Sequence, residues 1–246
     1  MERNVEMTRR NAETMERNGL TAASDLVLRA ETKLYYDLFT PSRTPAPLLV
    51  ALHGYGSSKS WMMREARQHA PEGFAVAAPQ GPHQHLKEPY EPGGPLRYGF
   101  GWLTNFHTED SIALHHFFLL SLFDVLIEQG IAQRERVFLM GFSQSCALNY
   151  RFAFTHAETL RGVVGICGGL PGDWDTNEAY AATRASVLHL SGARDEIYPP
   201  ARVADYARRL STRARDVESR EYDAAHEFVP AMRTDVRAWL AARARG

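Results

Sequence analysis

"VFLMGFSQSCALNY", Val137–Tyr150, joins a run of strand-forming residues directly to a run of helical character, with a serine at the junction. In "GFSQS", Gly141 and Ser145 stand two residues before and after Ser143. A serine on a sharp strand-to-helix turn must take a strained backbone conformation, and a bulky residue at either flanking position would collide with the neighbouring strand or block the turn. The usual form of such a turn is G-x-S-x-G. Here Ser145 replaces the second glycine, small enough to fit. Alone, the pattern also describes a serine capping an ordinary helix.

The surrounding sequence supplies the setting. "LVLRA", "KLYYDLF", "PLLVALHG", "FAVAAPQ", "VFLMGF", "GVVGICGG", "SVLHLSGA" and "VESREYDA" are eight candidate strands. The later ones are near-continuous apolar runs, as in parallel strands covered on both faces; the first two alternate and are joined through "ET" as an expected hairpin. Helix-like stretches at 59–70, 109–129, 144–155, 201–214 and 229–243 separate the strands. The expectation is one α/β domain with right-handed crossovers, a mostly parallel eight-stranded sheet with an antiparallel edge, and helices on both faces. The domain is expected over residues 23–246, after a charged N-terminal extension at 1–22. Thr108 is the expected N-cap of the second helix and Gly130 its terminating residue.

A chain of 246 residues can bury a large core. Its formal charge of -1 gives no field favouring nucleic acid or an anionic membrane. The arginines at 202, 208, 209, 213 and 215 are balanced by Asp205, Asp216 and Glu218, which reads as a solvated helix face. The first twenty residues lack the apolar stretch of a secretion signal. The apolar patch at Phe117–Ile127 is interrupted by Ser121 and Asp124 and too short to span a bilayer. Two cysteines, Cys146 and Cys167, make no disulfide framework, so a cytoplasmic location is expected. Cys146, in the helix after the turn, reads as a small apolar group rather than a nucleophile.

A serine hydroxyl needs a base to activate it, and the base needs an acid to orient it. "ARDEIYPP" follows the run "SVLHLSG" and "AHEFVP" follows "VESREYDA", so Asp195 and His226 stand just past the C-terminal ends of two candidate parallel strands. Ligands of open parallel sheets bind at that edge, and Ser143, Asp195 and His226 leaving three strands there is what an acyl-transfer site requires. Asp173, Asp175 and Glu196 are competing acids. His189, inside a strand pattern, reads as a core histidine, and His53 either braces the site or is structural. The oxyanion of a tetrahedral intermediate needs donors. The expected ones are the backbone N–H groups of Gln144, after the serine, and Tyr55, in the glycine-rich "HGYGSS".

The segment 79–107 is far longer than an ordinary strand-to-helix connection. Tyr90, Tyr98, Phe100, Trp102 and Phe106 make it an expected ordered loop folded over something. His83 and His85 form an H-x-H pair without the further ligands of a zinc site.

Together, "LHGYGSS", "GFSQSCAL", "CGGLP", "SGARDEIYP" and "YDAAHEF" resemble the α/β-hydrolase superfamily, and within it the carboxylesterase and phospholipase-like group that includes acyl-protein thioesterases. The resemblance runs from about Pro47 to the C-terminus. It implies an eight-stranded serine esterase with Ser143, Asp195 and His226 as triad, Tyr55 and Gln144 as oxyanion donors, no metal or organic cofactor, and a small-molecule ester or thioester as substrate. Gln144 agrees with the group's usual Gln-Gly pair after the serine, and Ser145 departs from it. "GFGWL", Gly99–Leu103, looks like the group's groove-lining aromatic segment, which makes Tyr98, Phe100 and Trp102 expected substrate contacts and small to medium apolar acyl groups the expected substrates. The competing reading is a near-inactive ligand-binding receptor on the same fold.

Overall fold

The apolar runs do pair into one sheet, with Val137–Phe142 at its centre. The computed structural model describes residues 15–17, 20–22 and 25–245. In chain order the strands are β1 (Met15–Arg17), β2 (Leu20–Ala22), β3 (Tyr36–Phe39), β4 (Ala46–Leu52), β5 (Ala75–Pro79), β6 (His83–Lys87), β7 (Arg97–Gly101), β8 (Ala132–Phe142), β9 (Gly162–Ile166), β10 (Ser186–Gly192) and β11 (Val217–Tyr222). The helices are α1 (Lys59–His69), α2 (Thr108–Glu128), α3 (Gln144–Thr155), α4 (Pro200–Val203), α5 (Tyr206–Leu210) and α6 (Pro230–Arg243). The described residues divide into two compact units, one ending at Lys33 and the other beginning at Leu34. In the first, β1 and β2 pair antiparallel; most of the expected N-terminal extension lies outside the described residues.

In the larger unit the central sheet has seven strands in the order β11-β10-β9-β8-β4-β5-β3, all parallel except the edge pair β3–β5. Several details differ from the sequence expectation. "LVLRA" forms no strand, so the hairpin through "ET" is absent and the sheet is one strand short of eight. Alternation specifies two faces but supplies no hydrogen-bonding partner, and a strand needs both. The stretch 201–214 is not one helix but α4 and α5, separated at Asp205, which leaves helical geometry with φ −101° and ψ 1°.

The apolar continuity of the strands has a direct cause. Along β4, Leu48, Val50 and Leu52 enter the core on one side of the sheet while Leu49 and Ala51 enter that on the other, and both layers are buried. α2 and α3 pack in the first layer and α1 and α6 in the second. α2 has 21 residues, long and apolar enough to cross a membrane. Its Phe118, Leu119, Leu122, Phe123 and Leu126 are instead buried in the core. The N-cap position of this helix falls on His107, with Thr108 as the first helical residue, its hydroxyl donating to Thr104 O at 2.9 Å. Gly130 ends the helix in the left-handed region, φ +69°, as a C′ glycine does.

β4 and β8 are neighbours from which the chain winds outward in opposite directions, so their C-terminal ends flank the sheet's topological switch point, where a crevice opens. The turns carrying Tyr55 and Ser143 both lie there.

Candidate active site

Ser143 stands between β8 and α3 with φ +57° and ψ −117°, a conformation that non-glycine residues adopt only where the surroundings over-determine it. The determinants are visible. Ser143 N donates to Ile166 O of β9 at 3.0 Å. The buried Ser145 hydroxyl accepts from Phe142 N at 3.0 Å and lies 2.9 Å from Leu52 O, tying the turn to the end of β4. Ser145 thus does more than fit in place of glycine: its oxygen is a structural bracket. At Gly141 a Cβ would come within 2.7 Å of Asn149 Nδ2, so the first small position of the motif is needed for helix-on-strand packing.

The turn after β4 closes on this serine. A Cβ at Gly54 would lie 3.1 Å from Ser143 Cβ, and that close approach carries the next residue, Tyr55, to the site. Neither the Tyr55 nor the Gln144 amide has a protein hydrogen-bond acceptor among the described residues. Gln144 also opens α3, where helix N–H groups are unpaired and the dipole is positive. Its side chain points the other way structurally: Gln144 Oε1 accepts from Trp102 N at 3.0 Å. Trp102 Nε1 donates in turn to His53 O at 2.9 Å. The buried His53 ring accepts from Gly81 N at Nε2, 3.0 Å, and donates from Nδ1 to Gly54 O, 2.8 Å. Burial lowers its pKa to about 4, the Gly54 bond opposing this only in part, so the ring stays neutral and braces the turn.

Asp195 and His226 follow β10 and β11 and meet. Asp195 Oδ2 lies 2.9 Å from His226 Nδ1, while Oδ1 accepts the amides of Ile197 and Tyr198, each at 2.9 Å. Burial pushes this carboxyl's pKa up, but the hydrogen bonds from Tyr198, His226 and Ile197 outweigh it and hold the pKa below the ordinary value. An ionised Asp195 fixes Nδ1 as the protonated nitrogen of His226 and leaves Nε2 to accept. The ring packs beside Phe142, 4.9 Å between centroids, and stacks on Tyr198 at 6.0 Å. Ser143 and His226 line one cavity of about 870 Å³. No hydrogen bond joins the two among the described residues; such contacts commonly tighten only when substrate is bound.

The competing acids lie elsewhere. Asp173 is bound by Arg151, Asn177 and Tyr180; Asp175 pairs with Arg209 at 2.9 Å, and Glu196 is exposed. His189 is a core histidine, 2.9 Å from Tyr150 OH. Burial raises both thiol pKa values, that of Cys167 to about 12 with the Asp195 charge adding to the rise, so both stay protonated. His83 and His85 are engaged separately, His83 with the Ser111 hydroxyl at 3.1 Å and His85 stacked on Tyr55 at 4.4 Å.

The long segment is ordered as expected, but its form was not legible: β6 and β7 make an antiparallel hairpin separate from the main sheet. Of the three aromatic residues expected at the groove, Tyr98 lines the cavity. Phe100 contributes its backbone, pairing with Gly56 and Ser57. Trp102 is buried, 1% exposed, because its indole N–H is satisfied by His53 O and its ring packs on Phe118 and His115. The cavity also takes Trp61, Ile197, Lys87 and Arg97, none of which the sequence marked.

The sequence pattern of the phospholipase/carboxylesterase family matches residues 36–243. Similar folds occur in a Bacillus cereus carboxylesterase, with 17% identity and TM-score 0.68 over 85% of this chain and 94% of that one. A Mesorhizobium loti carboxylesterase gives 21% identity and TM-score 0.66 over 84% and 93%, and esterase PE8 gives 20% and 0.67 over 86% and 99%. With the mostly parallel, doubly covered sheet and the serine turn at its switch point, the match makes this chain a member of the phospholipase/carboxylesterase family of α/β-hydrolases, an esterase-type hydrolase.

Proposed function

We propose that the chain hydrolyses carboxylic esters or thioesters of small to medium acyl groups through an acyl-enzyme on Ser143. His226 Nε2 takes the Ser143 proton as Oγ attacks the carbonyl carbon, and Asp195 holds the imidazole in the required tautomer and stabilises the imidazolium. The oxyanion receives the Tyr55 and Gln144 amides, each worth about 3 kcal/mol in the transition state. Collapse of the intermediate breaks the bond to the leaving alcohol or thiol, which takes the proton from His226. Water, deprotonated by the same ring, then attacks the acyl-enzyme and releases the acid. These groups account for every proton moved, so the reading calls for no cofactor. Trp61, Phe142 and Ile197 give the cavity the apolar walls that suit a short acyl chain.

The observation that carries the reading is the strained Ser143 in the same cavity as a histidine oriented by a buried carboxylate. The test is kinetic. Ser143→Ala should lower kcat on p-nitrophenyl butyrate by several orders of magnitude with the fold intact, and a fluorophosphonate should label Ser143 in the unsubstituted protein. Saturable ester binding without turnover or labelling would favour the receptor reading instead.

A further inference from the structure

The cavity that holds Ser143 and His226 is electrically one-sided. Its lining carries two fixed charges, Lys87 and Arg97, both positive, and no carboxylate. The whole chain has a formal charge of -1, so the bias is local. Neither cation has a carboxylate partner among the described residues; Lys87 Nζ donates to Gly56 O at 3.0 Å, and the Arg97 guanidinium lies 3.3 Å over the Tyr90 ring.

Their placement sets two like charges side by side. Lys87 ends β6, Arg97 begins β7, and the register sets them directly opposite each other. Like charges facing across a strand pair repel, whereas an opposite charge there would attract. The lysine is also held in position. Its stem runs across two glycines: a Cβ on Gly99 would fall 2.7 Å from Lys87 Cδ and one on Gly56 3.1 Å from Nζ. An ammonium with one hydrogen bond keeps two donors, and a guanidinium stacked on a ring keeps the N–H groups along its edge. The hairpin therefore presents two restrained cations with unused donors in the cavity of the serine.

From this we infer that the natural substrate is an anionic ester, one whose acyl or alcohol part bears a carboxylate or phosphate that settles between Lys87 and Arg97. The inference rests on the esterase reading above and adds the charge of the substrate. A doubly cationic wall in a cleft also draws such a substrate in by long-range attraction, which salt weakens.

Matched ester pairs test it. Mono-p-nitrophenyl glutarate against p-nitrophenyl butyrate puts the charge on the acyl side. On the leaving side, 4-butyryloxybenzoate and 4-butyryloxyphenyl phosphate, each against phenyl butyrate, separate carboxylate from phosphate. At least one anionic ester should exceed its neutral match in kcat/KM by about tenfold, the factor one charge-assisted hydrogen bond supplies. That ratio should fall toward unity in Arg97→Gln, which leaves the Tyr55 turn untouched, in Lys87→Gln, and in about 0.5 M NaCl, where screening is strong. Parity or preference for the neutral ester in all three pairs overturns the inference while leaving the esterase reading standing. Failure to cleave any ester, with no fluorophosphonate label on Ser143, removes the esterase reading and this inference with it.

Discussion

The turn at Ser143 and the hairpin β6–β7 face one cavity but are built on opposite principles. The turn is over-determined: β9 holds its serine amide, β4 holds its Ser145 hydroxyl, and Gly141 and Gly54 are pressed against neighbours on both sides. The hairpin stands outside the main sheet and is attached through side chains and one stretch of backbone, among them the Phe100 backbone, the Lys87 ammonium, the His83 and His85 rings and, just past β7, Trp102. Its outer side chains, Leu86, Tyr90, Leu96 and Tyr98, are exposed. The difference teaches where each kind of work resides. On the proposed mechanism the bond-making groups sit where the sheet leaves them no freedom, and the cations proposed to meet the substrate sit on an appended element.

Substitutions on the sheet rim should therefore act on kcat with the fold retained, and those at the hairpin's root on stability. The largest effect is expected at Asp195→Asn. The amide can keep the Ile197 and Tyr198 bonds through its oxygen, but its NH₂ then faces His226 Nδ1 and imposes the tautomer with a proton on Nε2, which cannot accept from Ser143. Turnover of p-nitrophenyl butyrate should fall about 10⁴-fold with little change in thermal midpoint. Loss of less than about tenfold would mean that Asp195 only packs the loop. Next comes Trp102→Ala, which empties a buried site and orphans His53 O. Urea unfolding should show a loss of about 3–5 kcal/mol. A loss under about 1 kcal/mol would show that the hairpin is not anchored to the core through this ring, and the contrast drawn above would fail.

The same contrast explains what the sequence made legible. Ser143, Asp195 and His226 each follow an abrupt end of a strand run, and parallel strands share one C-terminal edge, so linear position already implied proximity. The Tyr55 turn was legible for the same reason. The hairpin was not, because "HQHLK" has a single apolar residue and "RYGFG" is interrupted by two glycines, and the pair completes itself without the main sheet. Trp102 illustrates the limit most clearly. The family resemblance of "GFGWL" made it an expected groove contact, and only the three-dimensional path of the chain brings its N–H to the carbonyl of His53. Lys87 and Arg97 lie far apart in a charged stretch, and their opposition is a fact of register alone.

The smallest and most discriminating effect is expected at Ser145, where this chain departs from the glycine usual to such turns. If the turn is over-determined, its side-chain bracket should be worth measurable energy and should act on the serine beside it. Ser145→Ala keeps the volume and removes the oxygen, taking one acceptor from the buried Phe142 N–H and the hydroxyl from Leu52 O. Loss of a buried hydrogen bond of this kind costs about 1 kcal/mol, readable as a shift in the urea midpoint. Because Phe142 N adjoins Ser143, the same change should lower kcat several-fold while KM stays near its original value, the signature of a displaced nucleophile rather than an altered groove. Ser145→Gly should lose the same hydrogen bonds and some helix stability in addition. A variant with unchanged stability and unchanged kcat would reduce the hydroxyl to a space-filler, and the turn would then owe its geometry to backbone contacts alone.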